Sequence, residues 1–312
     1  MCLLQQHLKR LLAFSTISHV GMFVIGAALL TPLGLAGSAM YILSHALVKG
    51  SLFLCSGILL HRFETVDLNH LHGRGRELPY TGALFALGGL GLASLPPFGT
   101  FLGKGMMEDA AGSAGYAWVT SVLILASIGT GGAVLRAAGQ VFLGWGQKKE
   151  DQPAAQEGDQ EESESGGPSG RTPAVMFVPA LVLLIAGFIS GVIPSIGEAI
   201  EAASAQFLNQ PAYVKAVLGS AVPLASPLTI EPAHITLSMV ISGLVATAGA
   251  VSYALLALFS YRLPEGLQHL FARLSSALGG LRAVHSGHPG DYVTWITLGV
   301  AVLGALCAFT LR

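Results

Sequence analysis

The sequence predicts an all-α protein, a polytopic bundle of about seven helices that cross a membrane. Three observations lead to this fold class. Of the 312 residues, 52% are hydrophobic and 11% are charged, and the charged share is less than half of what soluble domains carry. The mean hydropathy is +0.65. The apolar residues fall in stretches of roughly 20 residues or more, the length at which a helix crosses a hydrocarbon core of ~30 Å.

Seven apolar stretches reach this length. They cover residues 11–31, 36–60, 81–111, 117–144, 173–194, 233–260 and 291–311. The third is interrupted by Pro96, Pro97 and Gly99, and a proline inside a helix removes a backbone donor and clashes with the preceding turn. We therefore expect one span made of two half-helices, broken at Pro96-Pro97. The alternative is a re-entrant loop that does not cross.

The loop cations predict the orientation of the chain. If all seven stretches cross, one side of the membrane holds eleven loop cations and the other holds Lys215 and Arg312. By the positive-inside rule the N-terminus is cytoplasmic and the C-terminus is outside. We expect the membrane to be a bacterial inner membrane. The same asymmetry requires the third and fourth stretches to cross together. Because the fourth is uninterrupted, we expect both to cross.

The chain divides into three parts. Residues 1–144 hold the first four spans, and residues 173–312 hold three spans with amphipathic surface segments at 195–219 and 265–282. Between them, residues 145–172 are rich in Asp, Glu, Gln, Ser, Gly and Pro. A segment of this composition has too few apolar residues to fold alone. We expect this segment to be a disordered cytoplasmic linker, with a docking role as the alternative.

Several classes of function are disfavoured. The net charge is −1 and the cations are scattered, so the basic patch that a nucleic-acid partner requires is missing. The cysteines, Cys2, Cys55 and Cys307, are far apart and predict neither a disulfide framework nor a metal site. Two histidine pairs, His70 with His72 and His285 with His288, lack a third ligand at a firm spacing. We expect no metal and no cofactor in this chain.

Two positions in the second span carry the main functional prediction. Lys49 lies at its midpoint, and His45 is one turn earlier on the same helical face. An ionisable group inside a membrane is costly and marks a functional site. Two such groups side by side predict a proton relay, which His19 in the first span would extend. The alternatives are a structural lysine paired with a carboxylate on another helix or chain, and histidines that are satisfied core residues.

A second group lies beside the broken helix. Lys104 follows the break, and Glu108 is one turn further on, where it can pair with the lysine. A broken helix inside a membrane must expose unpaired backbone to a cavity or to water. Lys104 would have water there with which to exchange protons, so it is a candidate for proton exchange, with an ordinary ion pair as the alternative. Arg136 stays charged and is expected to act as an electrostatic modulator or as a clamp between helices.

Four segments resemble one family. Residues 11–21 resemble its "LAYSTISHxG" segment, residues 44–50 its "HALFKALLFL" helix, residues 95–104 its "LPPxxGFxxK" broken helix, and residues 285–293 its "HSGHxGDY" segment. The family is that of the antiporter-like membrane subunits of respiratory complex I, shared with Mrp-type cation/proton antiporters and membrane-bound hydrogenases. The order of the four segments is also the same.

The resemblance implies a role for each relay residue. His45 and Lys49 would belong to the central relay, and Lys104 would be the titratable position on the discontinuous helix that faces the proton exit. The family moves protons along a polar axis in the membrane plane. Electron transfer in peripheral subunits, or exchange with another cation, supplies the energy.

The resemblance covers the C-terminal part of the family's fold. Members contain two inverted repeats, and the first discontinuous helix, its lysine and the membrane glutamate that pairs with it have no counterpart here. We expect the first half to come from another chain or from a segment missing from this sequence. The other expected partners are further membrane subunits, peripheral redox subunits, protons, Na⁺ and lipid.

Three functional hypotheses follow. The first is a proton-translocating subunit of a redox-driven complex, similar to NADH-quinone oxidoreductase or to membrane-bound hydrogenase. The second is a subunit of an Mrp-type monovalent cation/proton antiporter. The third is a remnant with a structural role, which predicts that Lys49→Ala and Lys104→Ala leave proton transport unchanged.

Overall fold

The computed structural model describes residues 2–147, 174–210 and 235–262, with isolated positions at 213, 214, 217 and 264 and between 293 and 305. Regular structure in this part of the chain is helical, with one isolated antiparallel bridge between His7 and Asp67. The prediction of an all-α membrane bundle is confirmed. The α-helices are α1 (Leu8–Ala28), α2 (Pro32–Phe63), α3 (Pro79–Leu92), α4 (Gly99–Ser113), α5 (Trp118–Ala138), α6 (Ala174–Val192), α7 (Pro194–Phe207) and α8 (Leu237–Leu258).

Five helices in the described ranges are long and apolar enough to cross a membrane. They are α1, α2, α5 with the π-helix Gly139–Leu143 that continues it, α6 and α8. Each agrees with one of the predicted stretches. The seventh stretch, residues 291–311, falls mostly outside the described residues, as do the linker beyond Gln147 and the segment 265–282.

The third stretch is divided as predicted. The half-helices α3 and α4 have 14 and 15 residues, so neither is long enough to cross alone. Residues 93–98 separate them, with a left-handed backbone at Ser94 (φ 68°) and no helix at Pro96-Pro97. The broken helix is therefore a feature of the fold, and the proline pair explains where it lies.

The central element is α2, which packs against α1, α3, α4, α6 and α7. Its N-terminus is capped by the Thr31 hydroxyl, which accepts a hydrogen bond from the Gly34 amide at 3.0 Å. Pro32 then occupies the first turn, where its missing N–H has no cost. Lys49 and His45 sit on this helix, and both side chains are buried.

Glycines allow two of the closest helix contacts. A Cβ atom at Gly103 of α4 would lie 2.5 Å from the backbone nitrogen of Tyr41 of α2, and one at Gly191 of α6 would overlap the carbonyl oxygen of Pro97. Small residues at such crossings let membrane helices approach backbone to backbone. The approach holds α2 and α6 against α4 and the break.

The amphipathic surface segment predicted at residues 195–219 contains α7. Ile196 and Ile200 pack against a buried cluster that includes Met40 and Phe101, whereas Phe207 is 80% exposed. This helix lies along α2 and also contacts α6.

Candidate functional site

Lys49 is buried in the centre of the bundle and reaches across to α1. Its Nζ donates a hydrogen bond to the backbone carbonyl of Leu12 at 2.7 Å and another to the hydroxyl of Ser15. The Ser15 hydroxyl in turn donates to the same carbonyl at 2.8 Å. Both partners of the lysine are neutral, and no carboxylate among the described residues lies within ion-pair distance of it.

The structure places His45 beside His19, as the sequence predicted. The centroids of the two imidazole rings are 4.5 Å apart, and both side chains are buried. The Nδ1 atom of His19 shares a 2.9 Å hydrogen bond with the hydroxyl of Tyr41. Among the residues that the structure describes, its Nε2 atom and both ring nitrogens of His45 find no hydrogen-bond partner. The relay role of these histidines, and the alternative of satisfied core residues, stay predictions.

Further hydroxyl groups lie between Tyr41 and the break in the third span. The Tyr41 hydroxyl also faces the hydroxyls of Ser94 and Ser127, and these two hydroxyls are 3.4 Å apart. Ser94 belongs to the segment that separates α3 from α4, and Ser127 belongs to α5. Groups that both donate and accept hydrogen bonds thus extend from α2 to the discontinuous helix.

Two threonine hydroxyls satisfy backbone carbonyls at the break. The Thr100 hydroxyl donates to the Gly91 carbonyl at 2.6 Å, and the Thr247 hydroxyl of α8 donates to the Ala93 carbonyl at 3.3 Å. The last carbonyls of a helix have no partner within that helix, and in a membrane interior an unpaired one is costly. Side chains of α4 and α8 therefore stabilise the break.

Lys104 and Glu108 form an ion pair, and a serine hydroxyl contacts both of them. Nζ of Lys104 lies 2.9 Å from Oε1 of Glu108, as the one-turn spacing predicted. The Ser242 hydroxyl of α8 donates to Oε2 of Glu108 at 2.5 Å and accepts from Nζ of Lys104 at 3.2 Å. Lys104 is 1% exposed and Glu108 is 6% exposed, so the pair is buried together with this hydroxyl.

Arg136 lies near the end of α5 and joins it to the segment before α1. Its Nη2 donates to the backbone carbonyl of Gln5 at 3.0 Å. Gln5 lies outside the helices, and the expected role of Arg136, as an electrostatic modulator or as a clamp between helices, stays a prediction. An ion-pair partner for Arg136 is not found among the residues that the structure describes.

Sequence reasoning missed the hydroxyl groups of this site. The ones that it did not select are Ser15, Tyr41, Ser94, Thr100, Ser127, Ser242 and Thr247. Each lies in an apolar helix or beside one, where a hydroxyl needs a partner when buried, and this was the signal available. In the described ranges, no group of three or more His, Cys, Asp or Glu side chains is placed to hold a metal ion.

Comparison with known proteins gives one family match. Residues 1–130 match the family described as "NADH:quinone oxidoreductase/Mrp antiporter, TM". A Na(+)/H(+) antiporter subunit of Bacillus subtilis (strain 168) is 26% identical over 213 residues, which are 68% of this chain and 40% of that protein. NAD(P)H-quinone oxidoreductase chain 4 1 of Synechococcus sp. (strain JA-2-3B'a(2-13)) is 39% identical over 100 residues, 32% of this chain and 19% of that protein.

A solved structure has a related fold. The Mrp complex from Dietzia sp. DQ12-45-1b aligns with a TM-score of 0.56 and 19% identity, and the alignment covers 100% of this chain and 32% of that chain. The chain therefore spans less than half the length of the relatives that it matches. The resemblance inferred from the sequence motifs is confirmed, and so is the assignment as an integral membrane protein.

Proposed function

We propose that this chain is a proton-translocating membrane subunit of a redox-driven complex, similar to NADH-quinone oxidoreductase or to membrane-bound hydrogenase. The observation that carries the proposal is the setting of Lys49, whose ammonium group is buried against a carbonyl and a hydroxyl. A buried ammonium with neutral partners is costly. Such a group suits a cycle in which it alternates between charged and neutral forms, since a lysine can give up its proton and an arginine scarcely can.

The neighbours of Lys49 supply groups for the next steps. Neutral imidazoles and hydroxyls each donate one hydrogen bond and accept another, so a proton can enter on one side of the group and leave on the other. His45 is one turn from Lys49, and its ring meets His19 at 4.5 Å. Tyr41 then contacts His19 at 2.9 Å. In the proposed relay these side chains carry protons toward the break, whose flanking residues are Pro96, Pro97 and Gly99.

The cluster at Lys104 is the proposed switch. Glu108 contacts both Lys104 and Ser242. If Glu108 moved away from Lys104 and kept only Ser242, the pKa of Lys104 would change. Arg136 contributes a fixed positive charge near one end of the relay. Moving one charge against 100 mV requires about 2.3 kcal/mol, which electron transfer in peripheral subunits would supply.

The proposed role implies partner subunits and an orientation of the chain in the membrane. The proposed partners are other membrane subunits, among them a chain or segment that supplies the first half of the fold, and peripheral redox subunits that carry the cofactors. We place the N-terminus in the cytoplasm and the C-terminus outside a bacterial inner membrane, with residues 1–144 as the relay part, 145–172 as a cytoplasmic tether and 173–312 as the C-terminal helices.

A second candidate is a subunit of an Mrp-type cation/proton antiporter. It is favoured by the extent of one alignment, because the antiporter protein of Bacillus subtilis matches 68% of this chain, whereas the quinone oxidoreductase chain matches 32%. The same relay would then exchange protons for Na⁺, with no redox partner.

The test is proton movement in everted membrane vesicles that contain the intact complex. A dye that reports internal acidification is followed after addition of NADH, of hydrogen, or of a Na⁺ gradient. The proposal expects acidification with NADH or hydrogen that is lost in Lys49→Ala and kept in Arg74→Ala, which removes an exposed cation. Proton flux driven by the Na⁺ gradient alone would favour the antiporter. Unchanged transport in Lys49→Ala under every condition would overturn both candidates in favour of a structural role.

A further inference from the structure

A groove of about 440 Å³ lies between α3, the end of α5 and α8. Its lining is apolar and includes the side chains of Ala83, Ala86, Phe142, Trp145, Leu255 and Leu258. The volume is within the range of about 300–1,000 Å³ that is typical of ligand sites, and it suits a single fatty acyl chain. In a helix bundle that crosses a membrane, lipid is the apolar molecule that surrounds such a groove.

Arg76 lies at one end of the groove. Its Nε and Nη2 atoms donate to the Leu143 carbonyl at 3.1 Å and 2.5 Å, which fixes the plane of the guanidinium group. Arginine has five N–H donors, so others remain for a ligand. Arg76 is exposed and has no carboxylate partner among the described residues.

The neighbouring arginines are engaged elsewhere. Arg62 is paired with Glu77 at 3.2 Å, and the guanidinium carbon of Arg74 lies 4.8 Å from the centre of the Phe63 ring. Arg76 is the member of this group that lines the groove.

The groove is built from a braced part of the fold. The Gly73 amide donates to the Gln140 carbonyl at 3.0 Å, and the ring of His72 contacts the Gly146 carbonyl at 3.2 Å. These contacts tie the segment before α3 to the π-helix Gly139–Leu143 and to the turn that follows it. A preformed site loses little freedom when a ligand binds, and π-helical turns are frequent at functional sites.

We propose that this groove binds one anionic glycerophospholipid. The phosphate is held by the free donors of Arg76, because a guanidinium fork matches phosphate geometry, and one acyl chain lies along the apolar lining. Trp145 contributes the amphipathic ring that is common at the level of lipid headgroups. The site is separate from the relay and does not depend on proton transport.

The test is native mass spectrometry of the assembly that contains the full chain. The protein is delipidated in mild detergent and titrated with phosphatidylglycerol or with phosphatidylcholine. Two variants address the site: Arg76→Gln removes the charge but keeps a donor for the Leu143 carbonyl, and Ala83→Trp fills the groove. The matched controls are Arg74→Gln, on the same segment, and Leu87→Trp, which is one turn further along α3 and exposed but outside the groove.

We expect the wild type to bind one phosphatidylglycerol in preference to phosphatidylcholine. Loss of one charge-assisted hydrogen bond to phosphate predicts about a tenfold weaker affinity in Arg76→Gln. Ala83→Trp should abolish this site, and both controls should bind as the wild type does. Equal affinity for the two lipids, equal loss in Arg76→Gln and Arg74→Gln, or undiminished binding in Ala83→Trp would each overturn the proposal.

Discussion

The ammonium group of Lys49 on α2 donates a hydrogen bond to the backbone carbonyl of Leu12 on α1 at 2.7 Å. This carbonyl is also an acceptor for the hydroxyls of Ser15 at 2.8 Å and Thr16 at 3.0 Å. One oxygen therefore collects three side-chain donors beside a buried lysine. The neighbourhood gives Lys49 polar contacts without a negative charge.

The first prediction concerns Ser15, which contacts Lys49 directly. Ser15→Ala removes a hydrogen bond to a charged group, so proton translocation should fall about tenfold. Thr16→Val is the matched control, because Thr16 bonds the same Leu12 carbonyl and should leave the rate near that of the wild type. Dye-based proton flux in vesicles measures both. Equal effects of the two changes would contradict a specific role for Ser15.

The second prediction concerns the contact between Tyr41 and His19. Tyr41→Phe keeps the ring and removes the hydroxyl that orients the imidazole, so transport should fall severalfold. Loss of one hydrogen bond should cost about 1 kcal/mol of stability. Transport and thermal unfolding of the purified complex are measured together. A stability change with full transport would assign Tyr41 to packing alone.

The third prediction concerns the cluster of Lys104, Glu108 and Ser242. Glu108→Gln removes the counter-ion of a buried lysine, a change that typically costs about 3–5 kcal/mol, and it should destabilise the protein more than Ser242→Ala. Because the Ser242 hydroxyl touches both members of the pair, the two substitutions should be non-additive by about 0.5–3 kcal/mol. Denaturant unfolding of the single and double variants measures this coupling. Simple additivity would mean that Ser242 does not act through the pair.

The fourth prediction concerns the break between α3 and α4. Thr247→Val removes the hydroxyl that donates to the Ala93 carbonyl at 3.3 Å; the described residues supply no backbone donor to this carbonyl, and a buried unsatisfied acceptor costs about 1–3 kcal/mol. Thr130→Val is the control, since Thr130 bonds the Ala126 carbonyl one turn earlier in its own helix, and that carbonyl has a helical partner. Thermal unfolding should distinguish them. The explanation of the break fails if both variants lose the same stability.

Local chemistry explains what was predictable from sequence. The break follows from adjacent prolines, and the pairing of Lys104 with Glu108 and the neighbourhood of Lys49 and His45 follow from the helical repeat. The contacts that complete the site join residues far apart in the chain, such as Lys49 with Ser15, 34 positions away, and Lys104 with Ser242, 138 positions away. They depend on how helices pack, which hydropathy does not encode. The roles assigned to these residues remain predictions.

The most direct test of the central claim is proton translocation by Lys49→Arg beside Lys49→Ala in vesicles that contain the intact complex. Arginine keeps the positive charge and hydrogen-bond donors but scarcely gives up its proton. If Lys49 works by releasing and regaining a proton, both variants lose translocation while the complex stays assembled. Full translocation by Lys49→Arg would contradict the account, because a fixed charge would then be sufficient at this position.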